Sequence, residues 1–321
     1  MTEGRCMKIA IIGAGAMGSM HGGYLSKAGE EVWLVDPWED HIEAINRNGL
    51  ILCDKGVEEK IKLKATANPS DVGVADVVLF FVKSYDTADA VRSASSVVGP
   101  DTYAMTLQNG IGNVEAIMQE LEMDRVVYGT TLLGGHVTAP GRIEVDVPPG
   151  ERVMVTMGEW GNKISPMLQN IGDAFVQAGI RTEVTNNPGK NVWTKLTLIC
   201  IAGTLNAVTR LRVGDLMGQE EGQELARLIM AENYMVAKKK GIELDPQELA
   251  AFIDAATTAA AEHITSMLKD VLSQRKTEIG SFNEAVAIEA ERLGLAAPVN
   301  KTVGLLMRII ENTYERQLFE A

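Results

Sequence analysis

The sequence predicts an α/β unit built on a parallel sheet, followed by an all-helical unit. Three observations lead there. In the first half, short apolar runs alternate with stretches that carry apolar residues at helical spacing. Those runs are continuous rather than alternating, as in strands buried on both faces. After Pro188 only helical patterns remain. Strands alternating with helices argue for βαβ units and hence for parallel pairing.

Lys8–Ile12 is an apolar run ended by glycines and reads as a buried strand. From Ala16 to Ala28, Met17, Met20, Tyr24 and Leu25 recur at helical spacing, and Gly29 supplies the stop. Val32–Val35 is the next strand, and His41–Asn48 a helix ending at Gly49. Ala75–Val82, Thr102–Leu107 and Arg125–Thr131 read as strands, with a helix over Val114–Leu121. Gly134–Pro149 reads as loop plus a short strand at Ile143–Val147. Arg152–Met157 and Arg181–Val184 flank a helix over Pro166–Ala178. Five helices follow: Asn191–Ala207, Gly222–Lys239, Pro246–Leu272, Phe282–Leu293 and Val299–Arg316. The sheet unit is assigned to residues 1–186 and the helical unit to 187–321, with the boundary near 184–190.

Two domains also follow from length, because 321 residues exceed one typical domain. Lys+Arg number 30 and Asp+Glu 43, a formal charge of −13. That argues against nucleic acid and against an anionic membrane surface as partners. It does not exclude an anionic small ligand held by a few local cations. Cys6, Cys53 and Cys200 form neither a disulfide framework nor a zinc pattern. His21, His41, His136 and His263 show no ligand spacing, so no metal site is expected. No run approaches 18 consecutive apolar residues, and Met1–Cys6 contains no apolar signal core. A cytoplasmic protein is the expectation.

Gly13-Ala14-Gly15-Ala16-Met17-Gly18 follows a predicted strand and opens a predicted helix. The first glycine suits a tight turn. The second lets a pyrophosphate approach the backbone, and the third packs helix on strand. The helix N-terminus adds amides and a positive dipole end. The sheet unit is therefore expected to be a Rossmann-type dinucleotide-binding domain. Asp36 lies 18 residues past Gly18, at the end of the second strand. A carboxylate there accepts from ribose hydroxyls and repels a 2′-phosphate, favouring NAD over NADP.

Reducing a ketone with a nicotinamide requires a proton donor. Histidine is scarce, so lysines and carboxylates are the candidates. Lys83 follows a buried strand at its carboxyl end, where ligands bind in open α/β sheets. Asn109 ends the next strand. Lys195 lies in the mostly apolar stretch Trp193–Ile199, either snorkelling or held for function. Glu278, by itself, reads as readily as a solvated acid.

Six segments in order resemble the ketopantoate reductase family. They are Ile12–Gly18, Val82-Lys83-Ser84-Tyr85, Gln108-Asn109-Gly110-Ile111-Gly112, Trp193-Thr194-Lys195-Leu196, Ser266–Asp270 and Lys276-Thr277-Glu278-Ile279. The resemblance covers roughly residues 7–315. It implies a Rossmann half, a helical half, a homodimer and an active site in the cleft between the halves. It also implies that Lys195 donates a proton to the ketone and that Glu278 orients the substrate. Ser266 matches a residue that binds the substrate carboxylate, and Lys83 and Asn109 match the cofactor–substrate junction.

The sequence also departs from the family. Two asparagines that bond substrate in typical members are replaced by Ile199 and Gly203. His263 stands where many members carry asparagine, and Gly280 where an aspartate is usual. Lost polar contacts relax the selection for a polar substrate. The expectation is an NAD-dependent enzyme for a small 2-oxo or 2-hydroxy acid with a side chain bulkier or more apolar than ketopantoate's, D-mandelate-like acids included. Three other readings compete: an authentic 2-dehydropantoate 2-reductase, a 3-hydroxyacid or imine reductase of the related superfamily, and a non-catalytic NAD sensor. Retention of Lys195 with Glu278 counts against the last.

Overall fold

The computed structural model describes residues 6–147, 149–150 and 152–317. Residues 1–5, which form most of the segment inspected for a signal core, lie outside the described residues, as do Pro148 and Glu151. The chain packs as two compact units. One takes the residues up to Gln108 together with Asn113–Pro188; the other takes Asn109–Gly112 and the chain from Gly189 onward.

The first unit begins with β1 (Lys8–Ile12), α1 (Ala16–Lys27), β2 (Glu31–Val35) and α2 (Glu39–Asn48). Three strands absent from the sequence reading come next: β3 (Leu50–Asp54), β4 (Val57–Ile61) and β5 (Lys64–Thr66). Then come β6 (Val77–Phe80), α3 (Thr87–Ser93), β7 (Tyr103–Thr106), α4 (Asn113–Leu121) and β8 (Val126–Thr131). The unit closes with β9 (Gly134–Ala139), β10 (Arg142–Val147), β11 (Val155–Glu159), α5 (Pro166–Gln177) and β12 (Thr182–Val184).

Eight strands form the main sheet, in the order β12-β11-β8-β7-β6-β1-β2-β5. It is mixed rather than wholly parallel, because β11 runs antiparallel to β8. The reason is the connection: among the described residues no helix lies between β8 and β11, and a parallel neighbour needs a crossover. A second sheet, β4-β3-β10-β9, takes in the stretch expected to be mostly loop at Gly134–Pro149. Helix α1 lies between the two sheets. A Cβ on Gly22 would crowd Leu34 and Ile11 of the main sheet, and one on Gly23 would crowd Ile61, Leu50 and Leu52 of the second. Side chains at these two positions would hold α1 off both sheets.

The second unit is helical. Its elements are α6 (Pro188–Leu198), a π turn (Ile199–Gly203), α7 (Thr204–Thr209), α8 (Val213–Met217) and α9 (Glu220–Lys239). They continue with α10 (Pro246–Ala259), α11 (Ser266–Leu272), α12 (Asn283–Arg292) and α13 (Pro298–Glu311). The single helix expected over Pro246–Leu272 is therefore two. Thr265 caps the second, its side chain accepting from the Leu268 amide, so a new helix starts there. The run Pro188–Thr209 has 22 residues and contains an 18-residue window of mean hydropathy 1.3, enough in length and composition to cross a membrane. Yet 61% of that window is buried inside the protein, where Trp193, Leu196, Cys200, Ile201 and Leu205 build the core of the helical unit.

Candidate active site

The chain runs from β1 out to β2 and then returns past β1 to β6. The β1–β6 pair is thus the switch point at whose carboxyl end open α/β sheets bind ligands. Gly13 leaves β1 with φ +100°. A Cβ there would lie 2.8 Å from the backbone of Phe81 and Val82, just beyond β6. A Cβ on Gly18 would lie 1.9 Å from the Gly13 carbonyl oxygen. At Gly15, which caps α1, a Cβ would meet nothing within 4 Å. The outer two glycines allow close packing, and the middle one opens onto space. Ala16 and Met17 begin α1 with no side-chain cap and no acidic residue in the first turn. Ala14 is buried just before them. This cradle fits a dinucleotide pyrophosphate.

Asp36 directly follows β2 and is pinned beside the cradle. One carboxylate oxygen accepts from the Ala14 amide at 2.8 Å and the other from the Trp38 amide at 3.0 Å. Each oxygen keeps a second lone pair for a ribose hydroxyl. Lys83 precedes the short 3₁₀ helix Ser84–Asp86 and adjoins Val82, whose backbone abuts Gly13. Past β7, Gln108 donates to the Val82 carbonyl at 2.7 Å and to the Thr87 hydroxyl at 2.9 Å. It ties the end of β7 to the segment that carries Lys83. In the sequence it stands within the Gln108–Gly112 segment, but the sequence alone assigns it no role of its own.

In the second unit, Lys195, Ile199 and Gly203 fall at successive i, i+4 positions along α6 and the π turn, which puts them on one face. Lys195 is half-buried, and desolvation lowers its amine from the usual lysine value to about 8. Thr265 brings Ser266 to this row. Its hydroxyl donates to Asn206 Oδ1 at 2.7 Å and to the Gly203 carbonyl at 3.4 Å, and its amide donates to Asn206 at 3.3 Å. Ser266, the exposed first residue of α11, directly follows the Thr265 that is bonded at the end of the π turn.

Glu278 precedes the 3₁₀ helix Ile279–Ser281 and is half-buried. Its neighbour Thr277 is fixed by Glu311, which accepts from both the Thr277 amide and hydroxyl at 2.6 Å. Asn109 belongs to the segment that packs with this unit. The next residue but one, Ile111, donates its amide to the Ser281 carbonyl at 3.1 Å. Asn109 is thereby anchored against the turn that begins at Glu278. The substrate-side candidates all fall within one unit, Lys195 and Ser266 around the π turn and Asn109 beside the turn that follows Glu278. Gly280 faces Arg308, which pairs with Glu284 and Glu311.

A dinucleotide cradle at the switch point of a Rossmann-type sheet, joined in one chain to a helical unit with a desolvated lysine, defines the class of two-unit nicotinamide-dependent oxidoreductases. Residues 9–161 match the family described as ketopantoate reductase PanE/ApbA, and residues 189–311 match its C-terminal counterpart. The 2-dehydropantoate 2-reductase of Pyrococcus horikoshii is 32% identical over 95% of this chain and 98% of its own length. That of Streptococcus pyogenes is 28% identical over the same shares. A solved PanE/ApbA family ketopantoate reductase from Ralstonia eutropha superimposes with a TM-score of 0.87 at 30% identity, covering 97% of this chain and 100% of the other. D-Mandelate dehydrogenase solved with NADH and anilino(oxo)acetate superimposes with a TM-score of 0.88 at 25% identity and the same coverage. The chain belongs to the ketopantoate reductase family, and it is an NAD(P)-dependent oxidoreductase acting on a CH–OH group.

Proposed function

We propose that this protein interconverts 2-oxo and 2-hydroxy acids with NAD, and that its substrate carries a side chain more apolar or bulkier than ketopantoate's. The observation that carries this reading is the Lys195–Ile199–Gly203 row. An acid–base group is followed, turn by turn, by an apolar side chain and by bare backbone. Such a surface offers no side-chain hydrogen bond to a substrate hydroxyl, so it does not select for one.

Gly13–Gly18 would hold a nicotinamide dinucleotide, which would supply or accept the hydride at C2. In reduction, protonated Lys195 donates a proton to the carbonyl oxygen; in oxidation, the neutral amine takes it back. A pKa of about 8 lets one group serve both directions near neutral pH. Ser266 binds the carboxylate, Glu278 and Asn109 orient the substrate, and Lys83 stands on the cofactor side. Asp36 selects NAD, because its carboxylate repels a 2′-phosphate at the ribose it binds. The pairing of NADH with an aniline-bearing oxo acid in the similar D-mandelate dehydrogenase supports both choices.

The second reading is reduction of 2-dehydropantoate itself, which the names of the curated relatives favour. Steady-state rates over a panel of 2-oxo acids with NADH separate the two. Aromatic or branched acids are expected to lead in kcat/KM, and a clear lead for ketopantoate would establish the second reading instead.

A further inference from the structure

The helix that carries Lys195 is interrupted one turn later by the π turn Ile199–Gly203. A π turn spaces its hydrogen bonds one residue wider than the flanking α-helix, so it displaces backbone carbonyls from the regular ladder. Here side chains from elsewhere collect two of those carbonyls. Asn283 donates to the Cys200 carbonyl at 3.3 Å, and the Thr265 hydroxyl, whose proton is shared with Asn206 Oδ1 at 2.7 Å, reaches the Gly203 carbonyl at 3.4 Å.

Behind the turn lies a continuous chain of buried amides. Thr204, just after the turn, donates its hydroxyl to Asn283 Oδ1 at 2.7 Å. Asn283 donates to Asn300 Oδ1 at 3.0 Å, and Asn300 donates to Asn233 Oδ1 at 3.0 Å. Asn233 donates to the Thr197 hydroxyl, just before the turn, at 3.3 Å. Asn300 spends its second amide hydrogen on Glu232 at 2.8 Å. All three asparagines are 0% exposed. The chain spans the π turn from its last preceding α-helical turn to its first following one, and it draws its members from α9, α12 and α13. Three buried amides serve poorly as plain packing, since each must be fully bonded to be tolerated.

We propose that Asn233, Asn300 and Asn283 form a positioning device that holds the π turn open and so fixes where Gly203, and the Ser266 segment bonded behind it, sit relative to Lys195. If the turn tightens to a regular α-helix, one residue's worth of register is lost across it, about 100° of rotation and 1.5 Å of rise. Gly203 and the residues that follow it are then turned relative to Lys195, while Ile199, at the start of the turn, keeps its place one turn from the lysine. This role rests on the reading of the Lys195 face as the site of proton transfer.

The test uses the intact protein with NADH and the 2-oxo acid it reduces fastest. Thr204→Val keeps the side-chain shape but removes the bond to Asn283, whereas Thr204→Ser keeps the hydroxyl. Asn283→Ala removes the support of the Cys200 carbonyl directly. Thr204→Val and Asn283→Ala are expected to lower kcat at least tenfold and to move the pH midpoint of kcat/KM. NADH affinity, a property of the glycine cradle, should stay as in the parent. Thr204→Ser should restore both kcat and the pH midpoint. If Asn283→Ala does not fold, the Thr204 pair decides alone. Parental kcat and pH midpoint in folded Thr204→Val would overturn the proposal. Lys195→Ala, measured alongside, separates the two ideas: a parental rate there defeats the reading of the lysine, whatever the amide chain does.

Discussion

Ile199 lies across Gly203: its Cγ2 is 3.3 Å from the place a Cβ on Gly203 would occupy. The two positions are therefore one steric unit. A side chain at 203 requires Ile199 to give by a few tenths of an ångström, so the two positions are in direct contact.

Restoring a polar pair must for that reason be done at both positions. Gly203→Asn alone is expected to lower kcat/KM for apolar oxo acids, because the new side chain crowds Ile199 and fills space that the glycine leaves bare. The double variant Ile199→Asn/Gly203→Asn is expected to shift the ratio of kcat/KM values toward ketopantoate by about 10–100-fold, the scale of a gained or lost polar contact. The effects of the two substitutions should be non-additive, as for any pair in contact. Competition rates between ketopantoate and an aromatic oxo acid measure this, and additive single effects would contradict the steric coupling.

Lys195 gives a pH signature with opposite sign in the two directions. Its folded-state pKa of about 8 lies below the ordinary lysine value because burial penalises the ammonium. Reduction needs the protonated form, so kcat/KM for the oxo acid should be level below pH 8 and fall above it. Oxidation needs the neutral amine, so kcat/KM for the hydroxy acid should rise through the same pH. Lys195→Ala is expected to cost about 10²–10⁴ in kcat in both directions and to abolish the inflection. Profiles with the same slope in both directions would remove the lysine from proton transfer.

The cradle was legible because its chemistry is local: the positive φ at Gly13 and the strand–turn–helix order follow from a few adjacent residues. β4 was not, because Val57-Glu58-Glu59-Lys60-Ile61 is an exposed edge strand whose charges hide it from any search for apolar runs. The break before Ser266 had a signal in Thr265, a capping residue ahead of an apolar run, which helical periodicity alone overrides. The π turn left no trace in the sequence, because hydrogen-bond spacing within a helix is set by what the freed carbonyls meet. For Cys200 that partner is Asn283, 83 residues away. The packing of Asn109–Gly112 with the helical unit likewise depends on a partner, Ser281, that periodicity does not reveal.

Asp36 makes a prediction about cofactor choice that its contacts sharpen. Its two bonds, to the Ala14 and Trp38 amides, fix the carboxylate beside the cradle and leave it unable to swing away from a 2′-phosphate. Fluorescence titration is expected to give a Kd for NADH at least tenfold below that for NADPH, a difference of about 1.4 kcal/mol. Asp36→Asn should narrow that gap by removing the charge, while weakening NADH because one oxygen acceptor is lost. Equal affinity for the two dinucleotides in the parent protein would refute the assignment of NAD.

Gly110 tests the placement of Asn109. It sits at φ +88°, and a Cβ there would come within 2.4 Å of the Ser281 carbonyl oxygen. Gly110→Ala is therefore strained in its backbone and also excluded by a neighbour that cannot swing away, since that carbonyl is held by the Ile111 amide. The expected cost in stability is about 1–3 kcal/mol, the range for a non-glycine residue forced into a sparsely populated region. The larger effect should be kinetic. Moving the segment off Ser281 displaces Asn109 from the turn that follows Glu278, and a shift of about 1 Å at a positioning group costs about 10²-fold in rate. A thermal melt and steady-state kinetics on the same preparation separate the two effects. A destabilised variant with parental kcat/KM would show that Asn109 acts on the fold and not on the substrate.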